Sequence, residues 1–134
     1  MKTKHFTLVL LLFATVKCFA QDIAVQSPSN VTKIYLDLNK AIYEAEAGST
    51  IYLPAGVLAL NDTMKIHKKL SIIGVGHRPD TEGGNTTIGG NIQFYAGADG
   101  SSLMGCYVTG NVNLANDEGA VSNFLLKYCN VNSL

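Results

Sequence analysis

Two short stretches, GNIQF (residues 90–94) and GNVNL (residues 110–114), repeat one another at a distance of 20 residues. The match pairs Asn91 with Asn111, Ile92 with Val112 and Phe94 with Leu114. Two weaker matches flank it. GCYV (105–108) and YCNV (128–131) align Cys106 with Cys129 and Val108 with Val131 at an offset of 23, and IYL at Ile51 aligns with LSI at Leu70 at an offset of 19. A repeat of about 20 residues built from strands and turns, with no helix inside it, predicts a parallel solenoid whose successive coils stack at the inter-strand spacing of about 4.8 Å. Equivalent side chains then form columns. The drift of the offset from 19 to 23 places extra residues at corners, where chain can loop out without disturbing the columns.

The rest of the chain fits around that reading. After Gly48 come short runs rich in β-branched and aromatic residues, each bounded by Gly, Asn, Asp or Pro: TIYLPAG, GVLAL, MKIHKKLSIIGVG, TTIGG, SSLMGCYVTG and NFLLKYCNV. Before it, DLNKAIYEAEAG carries Leu38, Ala41, Ile42 and Ala45 at helical spacing, with Asp37 placed to cap the start and Gly48 to stop the end. This predicts one amphipathic helix over 37–47, with Leu38 and Ile42 on its buried face. Residues 21–33, polar and broken by Pro28, read as a lead-in segment.

Residues 1–20 read as a secretion signal: Lys2 and Lys4, an apolar run from Phe6 to Val16, then Cys18-Phe-Ala20 before the cleavage point. Lys17 ends that run short of the roughly 20 apolar residues that a membrane span needs. Cleavage leaves seven basic against ten acidic residues, a net charge of −3. With no basic stripe, nucleic acid and anionic membrane surfaces are excluded as expected partners. The mature chain is long enough for one domain, 34–134, with coils from residue 50.

The order of helix, AEAGSTIYLPAG (45–56 region), KKLSIIGVG (68–76), TTI (86–88) and GCYVTG (105–110) resembles the N-terminal part of right-handed parallel β-helix proteins of the pectate-lyase-like superfamily. The resemblance implies an all-β right-handed parallel β-helix of about four turns, its open end covered by the helix. Without that cover the first turn would expose unpaired backbone and core. At the other end VNSL (131–134) falls within a further turn and supplies no polar cap. Two expectations follow: a chain truncated at its C-terminus, or self-association through the uncapped edge.

Chemistry-bearing residues are few. GVGHRPDTEGG (74–84) groups His77, Arg78, Asp80 and Glu82, but Pro79 occupies the third position of a phosphate-binding GxGxxG and no helix follows. Calcium enters only by analogy with lyases of this family, and two loop carboxylates fall short of the six to eight oxygens it takes. The segment reads as an extended corner. Asp99, Asp117 and Glu118 lie in turn-like segments, and no carboxylate pair of the kind inverting hydrolysis needs is visible on a strand. No cofactor is expected. Cys106 and Cys129, the two cysteines outside the signal, share a column. Stacked parallel Cβ vectors favour a ladder of free thiols over a disulfide. Asn91 and Asn111 are expected to stack as an amide ladder. Six tyrosines (35, 43, 52, 95, 107, 128) would make a sugar-stacking surface only if several faced outward together.

The expected function is therefore a secreted, non-catalytic β-helix module at the cell envelope or outside the cell, binding or displaying polysaccharide. Its alternatives are the N-terminal piece of a polysaccharide lyase or glycoside hydrolase whose catalytic turns are absent, and a structural or adhesive surface protein.

Overall fold

A computed structural model describes residues 21–78 and 84–134. The expected signal, 1–20, and the corner carboxylates Asp80 and Glu82 lie outside the described residues. Among the described residues the structure is mostly strand, with one short helix. In chain order the strands that build it are β1 (Ile23–Gln26), β2 (Thr32–Tyr35), β3 (Thr50–Tyr52), β4 (Gly56–Ala59), β5 (Met64–Ile66), β6 (Ser71–Ile73), β7 (Thr86–Gly89), β8 (Ile92–Phe94), β9 (Ser102–Met104), β10 (Cys106–Asn113), β11 (Ala115–Asn116), β12 (Gly119–Ala120), β13 (Leu125–Lys127) and β14 (Asn130–Ser133). The helix, α1, is Leu38–Glu44.

Three parallel ladders carry the core. In the first, Ile51, Ile72, Leu103 and Leu126 are register partners down β3, β6, β9 and β13. In the second, Leu58, Ile88, Val108 and Val131 align down β4, β7, β10 and β14. The third joins β5 and β8 to the C-terminal half of β10, aligning Met64, Ile92 and Val112. The chain takes them up in rotation: β3, β4 and β5, then β6, β7 and β8, then β9 and β10, which serves both the second and the third, and last β13 and β14. Ile51, Ile72, Leu103, Ile88, Val108, Ile92, Phe94 and Val112 are fully buried. Each such side chain contributes about 1.5–3 kcal/mol through burial. Leu126 on β13, Val131 on β14 and Cys129 between them are only partly covered.

Where backbone hydrogen bonds run out at the corners, buried hydroxyls take over, as buried polar groups must be paired. Thr86 Oγ1 accepts the Val75 N–H and donates to the Pro54 carbonyl, both at 2.9 Å. Ser101 Oγ accepts the Leu70 N–H at 3.0 Å.

The amino-terminal end differs from the sequence reading in three ways. Residues 21–33 are not a bare lead-in: β1 pairs antiparallel with β2 and with β3, so a hairpin occupies the edge of β3. The hairpin closes the backbone edge, and α1 lays Leu38, Ala41 and Ile42 over the core. The helix also ends at Glu44 and not Ala47, because Ala45 is extended (φ −62°, ψ 136°). Lys68 Nζ, from the segment after β5, takes the carbonyls of Tyr43 and Ala45 that a longer helix would have used. Asp37 caps the start as expected, its carboxylate accepting the Lys40 N–H at 2.7 Å. Finally, Ile51 pairs with Ile72, an offset of 21, and not with Leu70.

Candidate functional site: an amide and aromatic face beside a groove

Alternation along the third ladder turns Met64, Ile66, Ile92, Phe94 and Val112 inward, so Lys65, Gln93 and Asn113 face out as register partners. Two further columns flank this one. On one side Asn91 Oδ1 accepts the backbone N–H of Asn111 at 2.9 Å, and Asn132 Nδ2 lies 3.5 Å from Asn111 Oδ1. Asn91 and Asn111, expected to stack amide on amide, are thus joined from side chain to backbone. On the other side the His67 ring stacks on Tyr95, centroids 4.2 Å apart and planes 24° from parallel. Gln93 Nε2 donates to the Phe94 carbonyl at 2.9 Å and reaches the Asn113 and Ala115 carbonyls at 3.4 Å, which holds the amide against the sheet.

This face runs into a groove of about 460 Å³ between α1 and β5, lined by Asn39, Ile42, Tyr43, Thr63, Met64, Lys65, His67 and Lys68. Tyr43 projects from α1 with 84% of its surface exposed. Apolar floor, aromatic edges and a few amide and ammonium groups are the makings of a ligand groove. A second, smaller cleft of about 140 Å³ lies between the hairpin and α1, where Lys33, Tyr35, Glu44 and Ser49 meet. Burial, and then the Glu44 carboxylate beside it, push the Tyr35 phenol up.

The residues singled out from the sequence are dispersed. His77 is half-buried and Arg78 exposed in the connection between β6 and β7. Among the described residues no group of three or more His, Cys, Asp or Glu side chains is placed to hold a metal ion. Asp99 is a corner clasp: its carboxylate accepts the N–H and the hydroxyl of Ser122 at 2.7 and 2.9 Å, and these bonds hold its pKa down. Asp117 and Glu118 occupy the turn between β11 and β12.

Cys106 and Cys129 are free thiols. Cys129 immediately precedes β14, whose register with β10 begins at Tyr107↔Asn130, and Cys106 opens β10. Cys106 is fully buried and its Sγ donates to the Met104 carbonyl at 3.3 Å, while the half-buried Cys129 Sγ lies 3.3 Å from the carbonyls of Leu103 and Lys127. Burial pushes the Cys106 thiol up to about 12, with Cys129 adding to the shift, and raises Cys129 as well.

The sequence reading missed the pairing of His67 with Tyr95. The signal lay in the offset between β5 and β8, 28 residues from Ile66 to Phe94, which the matches at 19, 20 and 23 did not include. No protein-family model, curated protein or solved structure matches this chain.

Proposed function

We propose that the chain is a secreted right-handed parallel β-helix module that binds polysaccharide along the outer face of its third ladder, without catalysing its cleavage. Support for the coil comes from the rotation of the chain through three parallel ladders and from the resemblance of the stretch 36–134 to pectate-lyase-like proteins. Support for secretion is the segment 1–20.

One observation carries the binding reading: the stacked His67–Tyr95 pair stands beside a groove edged by Tyr43, next to outward columns of Asn, Gln and Lys. Aromatic faces stack on the C–H faces of sugar rings, and amides supply paired donors and acceptors to hydroxyls. Such a strip suits an extended chain of sugars lying across successive strands. No helix among the described residues is long and apolar enough to cross a membrane. The carbohydrate itself is the partner this face fits best.

A glycan array probed with the purified protein, followed by Tyr95→Ala and His67→Ala, tests the reading. Binding to at least one polysaccharide, lost in both variants and kept in Tyr128→Ala on the exposed end of the first ladder, is the expected result. Absence of binding by the parent protein, or equal binding by all three variants, would overturn it.

A further inference from the structure

We infer that the cleft between the β1–β2 hairpin and the end of α1 binds one small free α-amino acid, its carboxylate toward the hairpin and its ammonium toward the helix end. The inference is independent of the polysaccharide reading, since the cleft shares no residue with the groove or the third ladder. Charge is divided between its two walls. Lys33, Ser27 and Ser29 stand on the hairpin side, whereas Glu44 ends α1 and Glu46 follows it in the turn that leads to β3. An ammonium on one wall and carboxylates on the other match a molecule that carries both signs within a few atoms. Val25, Val31 and Ala45 add an apolar patch for a short side chain. At about 140 Å³ the cleft has room for one small molecule, well below the roughly 300 Å³ or more that larger ligands occupy.

Ser49 distinguishes this cleft from an ordinary surface hollow. The residue lines the cleft and is fully buried, yet its Oγ has no hydrogen-bond partner among the described residues. Thr86 and Ser101 are as deeply buried, and both give their hydroxyls to backbone groups. A buried hydroxyl left unpaired calls for a group to pair it, and a charged ligand atom seated in the cleft supplies one. The Ser49 backbone is already satisfied: its N–H donates to the Glu46 carbonyl and its carbonyl accepts the Ser71 N–H, both at 3.0 Å. The walls are also held at a fixed separation. The Gly48 N–H donates to the Lys69 carbonyl at 2.7 Å, and Pro28 of the hairpin turn lies so near that a Cβ on Gly48 would come within 3.3 Å of its Cγ. On the hairpin side Ser27 Oγ accepts the Val31 N–H at 3.2 Å and lies 2.9 Å from Ser29 Oγ. Both walls are thus in place before a ligand arrives, which lowers the ordering cost of binding.

The test is a proton–nitrogen correlation NMR titration of the isotopically labelled protein with L-alanine and L-serine, with methylamine and acetate as probes that carry one charge each. Saturable shifts of the Ser49 and Lys33 amide signals with both amino acids, in the millimolar range or below, and none with either single-charge probe, are expected. Lys33→Ala and Glu46→Gln change exposed positions, so both should keep the fold and each should weaken binding about tenfold or more. Ser49→Ala should weaken it as well, and the hydroxyl it removes has no partner in the free protein. Lack of any saturable shift, equal shifts with methylamine or acetate, binding of calcium chloride in place of the amino acids, or parent affinity in any of the three variants would each overturn the proposal.

Discussion

Asn91 Oδ1 accepts the backbone N–H of Asn111 at 2.9 Å, one strand away and 20 residues on in sequence. Beside it the Gly110 N–H donates to the Gly90 carbonyl at 3.1 Å. A Cβ on Gly110 would collide with both Asn91 Oδ1 and the Gly90 carbonyl. The recurrence of Gly-Asn in GNIQF and GNVNL thus has a physical cause. The glycine lets two backbones approach at the corner, and the asparagine supplies the hydrogen bond that the bend takes from the ladder.

Asn91→Ala removes the acceptor and leaves the Asn111 N–H to water or to nothing. A loss of about 1 kcal/mol is expected in the urea midpoint, with Asn91→Asp close to the parent because it keeps an oxygen in place. Equal losses for Ala and Asp would show that the bond contributes nothing.

Gly105→Ala should cost more. Gly105 sits at φ 65°, and an added Cβ would lie 2.6 Å from the Gly74 carbonyl, which is itself wedged into the neighbouring corner. Strain and steric conflict together predict a loss of about 2 kcal/mol or more by chemical denaturation. A variant as stable as the parent would mean that the two corners are not stacked.

Alkaline pH should destabilise the fold through Cys106. The folded chain holds this proton up to about pH 12, whereas an unfolded thiol releases it near pH 8.5. The contribution is fully present below about pH 8.5 and drains as pH rises toward the folded value. Urea midpoints measured from pH 7 to 11 should fall less steeply in Cys106→Ser, with Cys129 accounting for part of the remaining slope. Identical slopes would contradict this.

Acid acts through Asp99 with the opposite sign. The Ser122 N–H and hydroxyl depress its pKa in the folded chain. Its contribution is therefore present above the ordinary carboxylate pKa of about 4 and lost as pH falls through the lower folded value. Asp99→Asn keeps an acceptor but has no titration, so its midpoint should decline less between pH 5 and 2 than that of the parent. A parallel decline would remove Asp99 from the acid response.

The third ladder and the carboxy-terminal strands were legible from residues alone. The 20-residue match is the Ile92↔Val112 register, and the 23-residue match is Val108↔Val131. The 19-residue match slipped by two. Leu70 and Ile72 are both fully buried, and a slip of two keeps every side chain on its face, so apolar pattern cannot choose between them. Pro28 and its polar neighbours read as a linker because they are a hairpin turn: the Asn30 N–H donates to the Ser27 carbonyl, and Asn30 adopts φ 63°. The helix end was hidden because Lys68, 23 residues beyond Ala45, sets it. The same kind of distance hid the candidate site. The connection from β6 to β7 lengthens one turn of the chain, so the partner of Ile51 is 21 residues on while that of Ile66 is 28.

The coil is the claim on which the outer face depends, and backbone NMR on the isotopically labelled protein tests it most directly. Nuclear Overhauser contacts are predicted between the backbone protons of Ile51 and Ile72, Ile72 and Leu103, and Leu103 and Leu126, in the parallel pattern. Antiparallel contacts joining sequential strands instead, such as β4 to β5 or β7 to β8, would contradict it.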